Sequence, residues 1–322
     1  MYLIGVDIGG TKCAVTVGQV DGEHISVIAK QQFDSYREID PYYALDRIVE
    51  CIEQNLKDAK LIISDISAVG ISCGGPLNSK TGIVQRPPNL IKWDDFPIVA
   101  LMEKRLGVKV ALCNDANACA LAEWRFGAGK GCDNMIFLTC GTGMGAGLIL
   151  DGRLYSGTCD LAGEVGHMRL SAEGPSGFGK RGSFEGWCGG NGIAQLGYSM
   201  ALEAVQSGVK VEYFTAGMTA SDVTAKSIAV AAQNGDITAI EVYRKSGKYM
   251  GMALSILIDI LNPQRIVIGS VYQRAGHLMA ESVQSKIGQE AIAASAAACE
   301  VVPAALGEDI GDIAALTIAY DI

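Results

Sequence analysis

The sequence predicts an α/β fold in two domains, each built on a sheet that contains parallel strands. Three observations predict it. Apolar strand-like runs alternate with segments of helical spacing. One arrangement of strand, glycine turn and strand occurs twice. The length of 322 residues suits two cores at about 150 residues each.

Residues 3–7 form an apolar run ending in Asp7, a Gly9-Gly10-Thr11-Lys12 turn follows, and residues 13–20 are rich in β-branched side chains, which reads as a β-hairpin. A third strand over 25–30 follows the Asp21-Gly22 turn. Within 41–59, Leu45, Ile48, Val49, Ile52 and Leu56 recur at helical spacing, and Pro41 suits a first helical turn. Strand and helix then alternate: a strand at 68–72, a helix around 98–106, a strand at 108–113 and an alanine-rich helix at 115–126. Residues 134–157 resemble the opening again, with Ile136 to Thr139 as strand, Gly141-Thr142-Gly143 as turn and Asp151-Gly152 as the next turn. The repeat fits either two ordinary hairpins or a duplicated unit. Helices are expected at 193–207, 225–233 and 239–261, a short buried strand and glycine turn at 266–269, and a last helix at 311–320. No linker rich in proline, serine or charge divides the chain, and the expected boundary lies near 113–117.

Apolar residues make up 49% of the chain and charged residues 19%, which excludes intrinsic disorder. The net charge of −9 repels phosphate backbones and anionic lipid surfaces, so neither nucleic acid nor membrane is the expected partner. The ten cysteines are scattered with no Cys-x-x-Cys spacing and several lie in apolar runs, which fits buried thiols in a reducing compartment. The start of the sequence lacks the pattern of a secretion signal, and the longest apolar run, 252–261, is short and broken by Asp259. These features predict a cytoplasmic protein.

Glycine is in excess, 40 of 322 residues, and clusters at 9–10, 74–75, 141–147, 174–192 and 269. The run from Gly141 to Gly147 has the spacing of a dinucleotide fingerprint, but Leu148-Ile149-Leu150 continues as strand where that motif needs a helix. The run from Gly174 to Lys180 has the spacing of a P-loop, but Arg181 stands where a Mg²⁺-binding hydroxyl belongs. Asp7-Ile8-Gly9-Gly10-Thr11-Lys12 is more informative. A carboxylate at a strand end can orient hydrated Mg²⁺ while the turn's amides and Lys12 meet phosphate oxygens, although the same residues also serve a plain hairpin. Two such glycine turns can grip a polyphosphate at both ends. Asp115, between a strand and a helix, fits an ionised base or a helix N-cap.

Four motifs in order, Asp7 to Lys12, Asn114-Asp115 through Glu123, Gly141 to Gly145 and Glu164-Val165-Gly166-His167, resemble those of the ROK family of bacterial sugar kinases and sugar-responsive repressors. The resemblance covers nearly the whole chain. It implies the duplicated actin/hexokinase-like, ribonuclease H-like fold of two domains with a cleft between them: 1–114 completed by a C-terminal helix in 306–322, and 115–305. It implies ATP-dependent phosphorylation of a hexose such as glucose, mannose or an N-acetylhexosamine at its 6-hydroxyl, with Asp115 as general base. By the same resemblance Gly75, Asn89, Asn114, Glu164, His167 and Glu185 line the sugar site with Asp115. Gly9, Gly10, Thr11, Lys12, Thr142 and Gly143 meet phosphate, Gly269 lies on the adenosine side, and Asp7 holds Mg²⁺ through water. A homodimer is implied as well.

One departure stands out. Where many family members place three zinc-binding cysteines after the Glu-x-Gly-His motif, this chain has Ser176, Phe178 and Ser183. Hydroxyls do not replace thiolates on zinc at neutral pH, so no structural zinc is expected there. Packing of Phe178, Phe184 and Trp187 is expected to hold the loop instead. Rival readings within the family are a sugar-binding pseudokinase and a sugar-responsive regulator without kinase activity.

Overall fold

The computed structural model describes residues 1–322. Strand β1 (Tyr2–Ile8) turns through Gly9 and Gly10 into β2 (Lys12–Asp21), and the Gly22 turn leads to β3 (His24–Asp34), longer than the alternation implied. The Gly9 amide donates to the Lys12 carbonyl at 2.9 Å, which closes the first turn tightly. Helix α1 (Pro41–Ala59) starts on the Asp40 carboxylate, which accepts from the Tyr42 and Tyr43 amides, and ends at Lys60 in the left-handed region. Then come β4 (Ile66–Cys73), the short pair β5 (Leu77–Asn78) and β6 (Ile83–Val84), α2 (Ile98–Leu106), β7 (Lys109–Asn114) and α3 (Asp115–Phe126).

The second series opens with β8 (Met135–Cys140), β9 (Met144–Leu150) and β10 (Arg153–Leu154), followed by the small hairpin β11 (Ser176–Gly177) and β12 (Lys180–Arg181). Helices α4 (Phe184–Cys188), α5 (Gly190–Gln206), α6 (Ala225–Gln233) and α7 (Ile237–Leu261) lead to β13 (Arg265–Ile268). Helices α8 (Val271–Ala275), α9 (Ala280–Glu290) and α10 (Ala293–Ala298), β14 (Glu300–Pro303) and α11 (Ile310–Tyr320) complete the chain. The two main sheets have one plan: β3-β2-β1-β4-β7 and β10-β9-β8-β13-β14. In each, a parallel pair of later strands adds beside the first strand of the glycine hairpin. The repeated hairpin thus seeds two sheets of the same strand order.

The chain divides into two compact units, one of residues 1–133, 147–162 and 305–322, the other of 134–146 and 163–304. The division expected at 114/115 assigned α3 to the later domain. In the structure α3 belongs to the first unit, because its small side chains Ala118 and Ala122 pack with Ala314 and Ile318 of α11.

The first unit's sheet is covered on both faces. Ile4, Val6, Val15, Val69 and Ile71 meet Leu45, Ile48 and Ile52 of α1 in the main core cluster. The alternate positions face α11: Leu3 and Ala68 cluster with Leu316 and Ala319. On that face Gly5 and Gly70 are register partners on β1 and β4. A Cβ on Gly70 would stand 2.2 Å from the Ala315 carbonyl oxygen, and one on Gly5 would stand 2.9 Å from the Leu316 nitrogen. The helix backbone rests on the bare sheet.

The chain enters this helix past a buried carboxylate. Glu123 of α3 accepts from the amides of Ala128 at 2.7 Å, Ala305 at 3.0 Å and Leu306 at 2.9 Å. The second unit is organised on α7, whose Val242, Tyr243, Met250, Leu254 and Ile258 are buried, and whose Gly247 and Gly251 let α9 approach at Met279 and Val283. No helix is long and apolar enough to cross a membrane.

Three outcomes follow for stability. Gly70→Ala forces α11 off the sheet and is expected to lower stability by about 3 kcal/mol or more. Gly22→Ala meets nothing within 4 Å and suffers only its left-handed φ of 60°, a cost of roughly 1 kcal/mol. Urea unfolding of both variants checks the order. Glu123→Ala leaves three amides without an acceptor and is expected to cost about 3 kcal/mol or more, measured the same way.

Candidate active site

In the first unit, the site residues gather where three parallel strands end. Register aligns Asp7 of β1 with Ser72 of β4, and Ser72 with Cys113 of β7, so that Asp7, Gly74, Gly75, Asn114 and Asp115 share one edge of the sheet. The carboxyl ends of parallel strands are where open α/β sheets bind ligands. Gly74 sits against the Asp115 carboxylate, Gly75 against the Asn114 amide, and Gly10 against Asn89. Thr11 and Lys12 are exposed at the hairpin tip.

Asn114 and Asp115 divide two roles that the sequence left joined. Asn114 is the N-cap of α3, its side-chain oxygen accepting from the Ala116 amide at 3.0 Å and the Asn117 amide at 3.4 Å. Asp115 is the first helical residue, its Oδ1 accepting from the Ala116 amide at 2.8 Å. Solvent reaches Asp115 although protein atoms crowd it. Desolvation by the surrounding protein raises its pKa above the ordinary carboxylate value, and the Ala116 amide opposes the rise. Burial likewise pushes Asp7 up to about 6, against the hydrogen bond from Ser72, with the charges of Asp115 and Asp312 adding to the rise and Lys30 opposing it. Two carboxyl groups at one sheet edge, each with a raised pKa, suit proton transfer and cation binding at neutral pH.

In the second unit, a second assembly forms about Glu185 of α4. Its Oε2 accepts from the Met144 amide at 2.9 Å, just past the Gly141–Gly143 turn. That turn is tied to the start of α5, since the Gly190 amide donates to the Gly141 carbonyl at 2.8 Å and the Asn191 amide to the Thr142 carbonyl at 3.4 Å. Gly166 packs on the Met144 carbonyl and the Glu185 Cβ, which sets the Glu164–His167 segment beside Glu185. The His167 Nε2 lies 4.0 Å from the Glu164 Oε2, and both side chains are exposed. Gly269 continues β13, its amide donating to the Leu138 carbonyl at 2.9 Å, and Ser270 beside it holds φ of 55° near Gly141.

The loop with the serine, phenylalanine and serine substitutions is held by hydrogen bonds and by two of the three expected aromatics. The Ser183 Oγ caps α4 by accepting from the Gly186 amide at 3.1 Å, and Gln195 pairs with both backbone groups of Ser176. Phe184 is fully buried and Trp187 stacks on Tyr249 with ring centroids 3.7 Å apart. Phe178 departs from the expectation. It stands at the tip of the hairpin, 72% exposed, and packs no core.

Sequence reasoning did not single out Ser72, Met144 or the amides of Gly190 and Asn191. Ser72 acts through strand register and the others through backbone groups, so side-chain chemistry offered no signal. Glu185, read as a sugar ligand, is engaged with the glycine turn as well.

The glucokinase of Thermotoga maritima is 32% identical over 322 residues, 99% of this chain and 97% of that protein. The ROK family glucokinase from Streptomyces griseus, solved in complex with glucose and AMPPNP, is 28% identical with a TM-score of 0.77 over the whole of both chains. A ROK family transcriptional regulator homologous to the MLC protein of E. coli matches with a TM-score of 0.85 at 25% identity, covering 98% of this chain and 77% of its own. The duplicated sheets are the actin/hexokinase-like architecture of these structures. A model of the ROK family matches residues 3–322, and with the motifs at both sheet edges this makes the chain a member of the ROK family.

Proposed function

We propose that the protein is an ATP-dependent sugar kinase acting on the 6-hydroxyl of a hexose of the glucose, mannose or N-acetylhexosamine class. The observation that carries this reading is Asp115, a solvent-reachable carboxylate at the junction of β7 and α3, in line with Asp7 at the strand ends. The glucokinases among its relatives support it. The hydroxyl oxygen attacks the γ-phosphorus, its proton passes to the Asp115 carboxylate, and the bond from that phosphorus to the bridging oxygen breaks to release ADP. Gly75, Asn89, Asn114, Glu164, His167 and Glu185 orient the sugar. Gly10, Thr11, Thr142 and Gly143 meet phosphate through backbone amides and Lys12 through its charge, Gly9 shapes that phosphate turn by its bond to the Lys12 carbonyl, and Gly269 borders the adenosine.

Mg²⁺ belongs to this reading. A strand-end carboxylate beside a glycine turn fits a cation that keeps several waters and shares phosphate oxygens. Asp7 would hold it through water, and the ion would supply neutralisation of phosphate charge. The reading further includes a cytoplasmic homodimer without structural zinc.

A second reading, a sugar-responsive regulator or pseudokinase of the same family, is favoured by the likeness to the MLC-type regulator. It requires sugar binding without phosphoryl transfer. A coupled ADP-release assay over a panel of hexoses and N-acetylhexosamines separates the two: turnover on at least one sugar supports the kinase, and binding with no turnover on any of them overturns it. Asp115→Asn is expected to lower kcat by about 10²-fold or more while calorimetry finds sugar binding retained. The base must be ionised, and its folded pKa lies above the ordinary 3.8. The rate at limiting sugar therefore falls as pH drops through that raised pKa and levels off above it, so the acid limb of kcat/KM is expected above pH 3.8, as a pH–rate profile will read.

A further inference from the structure

The hairpin tip at Phe178 is built against local preference. Phe178 and Gly179 are the two central residues of the turn between β11 and β12, with φ of 45° and 73°. Two positive φ values mark the tight hairpin turn that favours Asn-Gly or Asp-Gly. A phenylalanine at the first position is strained by roughly 1 kcal/mol. Burial would offset that strain, yet the ring is 72% exposed, while the other six phenylalanines are buried or half-buried. A strained residue with no packing role directs attention to what it meets from solution.

The tip is nevertheless held in place. The Phe178 ring stands edge-on to the His167 imidazole, centroids 5.3 Å apart at 72°. The Lys180 Nζ donates to the His167 carbonyl at 2.6 Å. Gly177 lies so close to Glu185 that an added Cβ would stand 2.7 Å from its Cβ. An open aromatic surface therefore adjoins the exposed polar pair Glu164 and His167, with Glu185 behind the turn. An apolar wall with a few convergent polar groups is the make-up of a small-molecule site. A pyranose offers the matching surface, hydroxyls around its rim and C–H bonds across its face, whose positive ends suit the negative face of an aromatic ring.

We propose that Phe178 is the platform for the C–H face of the acceptor pyranose, favouring ring sugars whose hydroxyls are equatorial, as in gluco-configured hexoses. The inference rests on the reading of this protein as a sugar-binding ROK kinase. It makes Phe178 a residue that sets specificity.

The test compares Phe178→Asn and Phe178→Trp with the wild type. Asparagine is the residue the turn prefers, so the hairpin is kept or stabilised, and an unchanged or higher Tm verifies the fold. Tryptophan keeps an aromatic face. Calorimetric titration with glucose and with galactose, whose 4-hydroxyl is axial, is done without nucleotide. Phe178→Asn is expected to weaken glucose binding by about tenfold and Phe178→Trp by less than about threefold. In turnover the loss falls on KM for the sugar and spares KM for ATP. Glucose binding by Phe178→Asn within about twofold of wild type overturns the platform and leaves the kinase reading intact. Weakened binding with no ADP release from the wild type keeps the platform and overturns the kinase. A wild type that binds no hexose overturns both.

Discussion

The first unit depends on one close approach, helix α11 lying on β1 and β4 at a distance that only hydrogen side chains permit. Gly5 and Gly70 are register partners, and the Ala315 and Ala319 backbone occupies the space where their Cβ atoms would be. Alanines on the helix and glycines on the strands fit together because neither carries volume to spare. The opposite face of the same sheet uses full-sized side chains against α1. One sheet thus has a thick side and a thin side, and alternation along each strand keeps the two apart.

This packing also serves the chemistry. With β1, β4 and β7 held parallel and in register, their carboxyl ends bring Asp7, the Gly74-Gly75 corner and Asp115 to one edge. Desolvation raises both carboxyl groups, and for Asp7 the charges of Asp115 and Asp312 add to the rise. The second unit builds its glycine turn differently. There Glu185 accepts the Met144 amide and the start of α5 donates to the turn's carbonyls, so the loop is fixed by bonds from a neighbouring helix.

Much of this was legible in the sequence, and the exceptions share a cause. The two hairpins, α1, α3, α6 and most of α7 follow from periodicity and turn residues, and the repeat at 134–157, which fitted either plain hairpins or a duplicated unit, seeds a second sheet of the same order. The motif residues stood out in the sequence through their polar side chains and clustered glycines, and the structure brings Asp7, Gly74, Gly75, Asn114 and Asp115 to one sheet edge. Gly5 and Gly70 were invisible because a single glycine within an apolar strand says nothing about what lies over it. Glu123 reads as the surface end of a helix until the returning chain supplies three amides. The domain boundary was missed because contacts with α11, far away in sequence, decide where α3 belongs. Phe178 was expected to help hold its loop by packing, but it sits at the tip of a turn with two positive φ values and is exposed.

The order of the elements along the chain has a consequence for biosynthesis. Residues 305–322 come after the whole of the second unit, yet one face of the first unit's sheet is not covered until they arrive. A nascent chain emerging from the ribosome therefore carries an open, glycine-lined face on β1 and β4 while everything in between is translated. Closing so long a loop adds little to the final free energy, since each doubling of length costs only about 0.6 kcal/mol. The burden is one of time: the α11 face of strands made early is sheltered only late, and such a face is open to association meanwhile.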